Sequence, residues 1–158
     1  MILRLRKLIS LSLEGCELSQ VVYPYSSSFL NSSSSIDTLI LNNNNLTSSM
    51  YRSLFPLTRN KLRILDLSGN ILDGIPKYLG NLCNLERLYF YNNSAVVNFP
   101  DFLNNLFGCT SLTLQGLLVG HNRLIGKLSN ETLRFQNLSL LGMKSCNLGP
   151  HFPDGFKL

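Results

Sequence analysis

Four cysteines and two histidines are the residues of this chain best suited to redox, metal or nucleophilic chemistry. Neither His121 nor His151 has a cysteine or carboxylate beside it at metal-ligand spacing. Serines are plentiful, but none stands in a Gly-x-Ser-x-Gly elbow, and no glycine-rich stretch matches a phosphate-cradling loop. The residues therefore predict no enzyme, no metal and no cofactor, with His121 in an exposed structural position. The chemistry that remains is recognition and modification. Arg87, Tyr89 and Tyr91 cluster within five residues, and Arg and Tyr are favoured anchors of binding interfaces. Five asparagines, Asn31, Asn45, Asn92, Asn130 and Asn137, begin Asn-x-Ser/Thr acceptor patterns for N-glycosylation.

The elements that would hold these residues are visible in residues 62–76, LRILDLSGNILDGIP. Leu62, Leu65, Leu67, Asn70 and Leu72 fit L-x-x-L-x-L-x-x-N-x-L, the core of a leucine-rich repeat. Leu65 and Leu67 alternate as in a short strand and point to one face, with Asp66 on the other. Asn70 comes where the chain turns inward, and its amide can serve backbone groups that the turn leaves unpaired. One such unit cannot bury its own leucines and needs neighbours of the same kind.

The chain supplies them in LISLSLEGCEL, IDTLILNNNNL, LERLYFYNNSA, LQGLLVGHNRL and LSLLGMKSCNL. The polar slot falls at Cys16, Asn44, Asn70, Asn93, Asn122 and Cys146, with steps of 28, 26, 23, 29 and 24 residues. This spacing predicts a single array of about six repeats over residues 1–158, without terminal caps. The expected fold is α/β: a right-handed solenoid with a parallel sheet on its concave face, and short helices, 3₁₀ turns and loops on the convex face. PKYLGNL (76–82) and PDFLNNL (100–106) place proline at helix starts, where its missing N–H costs nothing. Residues 19–35 read as a serine-rich surface insert, and residues 47–61 as a short helix or turn on the convex side.

Strand residues that point away from the leucines would line the concave face. The middle row is Ser12, Ile40, Asp66, Tyr89, Leu118 and Gly142, and the next is Glu14, Asn42, Ser68, Tyr91, Gly120 and Lys144. Six strands about 4.8 Å apart, with four residues each at about 3.3 Å, give a face of order 300 Å². A standard interface takes roughly 800 Å² per partner, so firm binding would call for further repeats.

The cysteines divide by setting. Cys16 and Cys146 occupy the asparagine slot, where a small, weakly polar side chain facing the core should stay reduced and inert. Cys83 and Cys109 fall on return segments of adjacent repeats, close enough for a disulfide. Two free buried thiols are the alternative.

Composition narrows the class. The chain is 44% hydrophobic and 15% charged, which suits a folded core. Its net charge of +5 is dispersed apart from Arg4, Arg6 and Lys7, so no basic face for nucleic acid is expected. No run of ~20 apolar residues marks a membrane span, and the leucines of the first segment sit at repeat spacing rather than in a signal peptide. Both ends read as cut through an array.

The segments LDLSGNILDGIPKYLGNLCNLERLYF, FPDFLNNLFGCTSL and KSCNLGPHFP resemble the extracellular repeats of plant leucine-rich-repeat receptor-like proteins, nearest those of the xylanase-elicitor type. The resemblance implies an internal ectodomain fragment on the outer side of the plasma membrane. It would bind a protein or peptide ligand and signal through partner kinases. Two alternatives remain from the same residues: a secreted inhibitor of a pathogen cell-wall enzyme, or a truncated, non-functional fragment. An intracellular repeat scaffold is a third, favoured if the acceptor asparagines are bare and the cysteines reduced.

Overall fold

The alternation seen in Leu65–Asp66–Leu67 yields a strand of only three residues, and the chain makes it again in every repeat. The computed structural model describes residues 7–20, 35–54, 61–93, 96–127 and 134–146. Within them run β1 (Ser10–Ser12), β2 (Thr38–Ile40), β3 (Ile64–Asp66), β4 (Arg87–Tyr89), β5 (Val96–Asn98), β6 (Gly116–Leu118), β7 (Arg123–Ile125) and β8 (Leu140–Gly142). Six of them form one sheet in the order β1-β2-β3-β4-β6-β8, and every pairing in it is parallel.

The register follows the repeat. Leu11, Leu39, Leu65, Leu88, Leu117 and Leu141 stand opposite one another across the sheet. Leu39, Leu65, Leu88 and Leu117 are buried, as are Leu41, Leu67, Phe90 and Val119 one step further along each repeat. Each such side chain contributes about 1.5–3 kcal/mol by leaving water. Leu11 and Leu141, in the outer strands of the sheet, are only partly buried, because a stacked unit is covered only by its neighbours.

Return segments close the core. They are a 3₁₀ turn at Leu18–Gln20, another at Ser48–Met50 leading into α1 (Tyr51–Leu54), a 3₁₀ helix at Lys77–Asn81, and α2 (Phe99–Asn105) followed by α3 (Thr110–Thr113). Pro76 is extended just before Lys77–Asn81. Pro100 lies in the first turn of α2, where Asn98 Oδ1 accepts the Asp101 N–H at 3.1 Å. Phe102 of α2 packs edge-on to Phe90 with ring centroids 5.1 Å apart. The segments read as helix starts or turns from 47, 76 and 100 are thus all present. Most of the insert read over residues 19–35 lies outside the described residues.

A second sheet was not expected. Strands β5 and β7 pair in parallel, and Thr47 and Ile71 form an isolated parallel bridge at the corresponding point of the earlier repeats. Val97 and Leu124 turn inward at 2% and 1% exposure. With one inward residue per strand, the period-2 signal is too short to read from sequence.

A second unforeseen regularity sits one residue before the polar slot. Gly15, Asn43, Gly69, Asn92, His121 and Ser145 all take the left-handed region, with φ between 56° and 63°. This conformation is cheap for Gly and tolerable for Asn. At Gly69 a Cβ would also meet the side-chain amide of Asn43, which would have to move aside.

Candidate functional site

The face of the long sheet turned away from the leucines carries the candidate binding residues. Its middle row is Ser12, Ile40, Asp66, Tyr89, Leu118 and Gly142, aligned by strand register. Arg87 and Tyr89 are held by β4, with Arg87 exposed and Tyr89 half-buried. Tyr91 follows at 39% exposure. Arg87 stands opposite Ile64 on one side and Gly116 on the other. A Cβ at Gly116 would lie 3.6 Å from Arg87 Cγ, so the arginine stem passes within van der Waals reach of that position. Leu140, next in that row, is 54% exposed.

The adjoining row is less accessible than its spacing suggests. Glu14, Tyr91 and Lys144 are exposed, but Asn42, Ser68 and Gly120 are buried. The chain is already turning inward here; the Glu14 side chain lies over Asn42, and the Lys144 backbone lies against Gly120. Glu14 Oε1 accepts from Asn42 Nδ2 at 2.8 Å and from Asn43 Nδ2 at 3.2 Å. Asn42 Oδ1 and Ser68 Oγ are buried without a hydrogen-bond partner. Glu14 thus stands at one end of the face and Lys144 at the other, with Asp66 and Arg87 on the neighbouring central strands β3 and β4.

Below the face, the polar slot knits successive repeats. Asn70 Oδ1 accepts the N–H groups of Asn44 and Leu46 at 3.1 and 3.0 Å. Its Nδ2 donates to the carbonyls of Leu41, Leu67 and Ser68. Asn44 repeats this towards Cys16 and Leu18, Asn93 towards Leu72, and Asn122 towards Asn93. Cys146 is buried and its thiol donates to Val119 O at 3.4 Å; burial pushes its pKa up. Cys16 corrects the expectation of a core-facing thiol: it is exposed. It follows β1, the outer strand of the sheet, and no described repeat packs on that side to cover it.

Cys83 and Cys109 are joined by a disulfide between adjacent return segments, with Cα atoms 4.8 Å apart. The same contact brings two glycines together. A Cβ on Gly80 would lie 2.4 Å from Phe107 O, and one on Gly108 2.3 Å from Gly80 O. Thr110 Oγ1 also donates to Leu79 O at 2.6 Å. Among the acceptor asparagines, Asn45, Asn92 and Asn137 are exposed, and Asn137 Nδ2 donates to Leu112 O. Asn31, Asn130 and His151 lie outside the described residues, whereas His121 is exposed at its turn. Among the described residues no three His, Cys, Asp or Glu side chains group to hold a metal ion.

The leucine-rich repeat family model matches residues 61–82, the repeat with the most complete pattern. Receptor-like protein 35 of Arabidopsis thaliana is 32% identical over 117 residues, covering 73% of this chain and 12% of that protein. Receptor-like protein 18 of the same plant is 33% identical over 161 aligned positions, 90% of this chain and 19% of that protein. Receptor-like protein 34 is 34% identical over 80 residues, 50% of this chain and 8% of that protein. These are leucine-rich repeats of the plant receptor-like protein type. The receptor-like repeats here span less than a fifth of the length of the curated relatives they match. No helix among the described residues is long and apolar enough to cross a membrane.

Proposed function

We propose that this chain is a protein- or peptide-recognition segment of a plant receptor-like protein, displayed outside the cell, whose ligand lies on the open face of the long sheet. The supporting observation is the alignment of six strands in one register, with Arg87, Tyr89 and Tyr91 grouped on that face. Two amphipathic rings beside a guanidinium offer apolar area, hydrogen bonding and charge at low entropic cost. Asp66 and Arg87, on the neighbouring central strands β3 and β4, would offer a ligand one group of each charge beside the tyrosines. In the whole receptor, signalling would pass to partner kinases, and glycans would occupy acceptor asparagines such as Asn45 and Asn92. The Cys83–Cys109 bridge suits that oxidising setting.

A peptide library displayed against the glycosylated protein tests the reading. Enriched peptides should compete with one another and lose binding to the Arg87→Ala and Tyr89→Ala variants. Enrichment of peptides indifferent to both substitutions would overturn the assignment to this face.

A further inference from the structure

A cleft of 580 Å³ opens on a different side of the molecule, among the segments that leave the polar slot towards the return helices. Ile75, Val97 and Phe102, each 5% exposed or less, form its apolar floor. Asp73 and Asp101 stand at its edge, and no Lys or Arg lines it, although the chain as a whole carries +5. The other polar groups here are already engaged. Tyr51 Oη donates to Gly74 O at 2.6 Å, Asn105 Nδ2 donates to Ile75 O at 2.8 Å, and Ser48 Oγ donates to Asp73 Oδ1. The carboxylate of Asp101 is exposed and has no partner among the described residues. Val96, which also lines the cleft, leaves 53% of its surface in water.

From this combination we infer a second docking surface, separate from the sheet face, that takes a short apolar segment of a partner protein carrying one lysine or arginine. The occupant follows from charge and shape. A basic side chain lays its aliphatic stem along apolar surface while its head stays at the polar edge. Here the stem would follow Val96 and Val97, and the head would meet Asp101, with Asp73 adding to the local negative potential. An acidic segment would instead bring like charges together. The volume lies within the range of small-ligand sites and holds two or three side chains.

The test uses ¹⁵N-labelled protein, the probe acetyl-leucyl-arginine amide, and the control acetyl-leucyl-glutamate amide. Saturable amide shifts at Gly74, Val97 and Asp101 with the arginine probe are expected, without equivalent shifts from the glutamate control. Asp101→Asn should weaken the arginine probe by about three- to fivefold, the scale of one exposed charge contact. Tyr89→Ala on the sheet face should leave it unchanged, which separates this site from the one proposed above. Equal binding of both probes, shifts centred on the sheet face, or no saturable shift would each overturn the proposal.

Discussion

Asn70 and Ser68 are two residues apart and both buried, yet their polar atoms stand in opposite situations. Asn70 serves five backbone groups from two repeats, while Ser68 Oγ serves none. Removing the Asn70 amide orphans two N–H groups in the interior, and each buried unpaired group costs about 1–3 kcal/mol. Asn70→Ala should therefore destabilise the fold by about 2–4 kcal/mol, read from the urea midpoint. Ser68→Ala should be neutral or stabilising by up to about 1 kcal/mol, because it removes an unpaired buried hydroxyl. A loss as large as that of Asn70→Ala would mean the hydroxyl has a partner. Leu67→Ala, which empties a fully buried site, should cost about 2–5 kcal/mol in the same assay.

Between elements, the junction of Lys77–Asn81 with the segment joining α2 to α3 is tied in several different ways. A disulfide, a threonine hydroxyl and two glycines in mutual contact meet there. Closing a loop of this length by a disulfide stabilises by about 2–4 kcal/mol. A Cys83→Ser, Cys109→Ser double variant should lose about that much, and reducing agent should lower the melting temperature of the parent but not of the variant. Another link between neighbouring repeats is electrostatic. Arg63 Nε and Nη2 donate to Glu86 Oε1 and Oε2 at 2.9 and 2.8 Å, which holds the Glu86 carboxyl below its ordinary value. A depressed acid contributes stability above its unfolded pKa and loses it as pH falls through the folded pKa. Arg63 is exposed and Glu86 partly so, so solvent screening keeps the contribution small. Arg63→Gln should remove this small contribution at neutral pH, make little difference at low pH, and so flatten the stability curve below about pH 4.5.

Across the whole molecule, stability is a sum of repeat-to-repeat contacts rather than a single central core. Leu65, Leu88 and Leu117 are fully buried, whereas Leu11 and Leu141 in the outer strands are half-covered. Hydrogen exchange should therefore show strongest protection at Leu67, Phe90 and Val119. The N–H groups of these residues bond to the next repeat. The Leu13 amide should be weaker, although it makes the same kind of bond to Ile40 O. Uniform protection along the array would contradict this picture. The two proposed contact surfaces sit on different faces of this stack, so a ligand on one leaves the other open.

By itself, the sequence determined the repeat phase, the parallel sheet and its leucine register. Each repeat encodes them locally, in the alternation Leu-x-Leu followed by a polar residue, and stacking in register then buries the alternating leucines of the inner strands. Pro76 and Pro100 marked their helix starts for the same local reason. Only the tertiary structure decided which side chains of the sheet face remain open. Ser68 and Asn42 have the spacing of exposed residues, yet both are buried; Glu14 of the preceding repeat accepts a hydrogen bond from Asn42, and no single repeat encodes its neighbours' side chains. The exposure of Cys16, the β5–β7 pair and the cleft edged by Asp73 and Asp101 were illegible for the same reason. Each is made by residues from different repeats, at distances set by how the repeats stack.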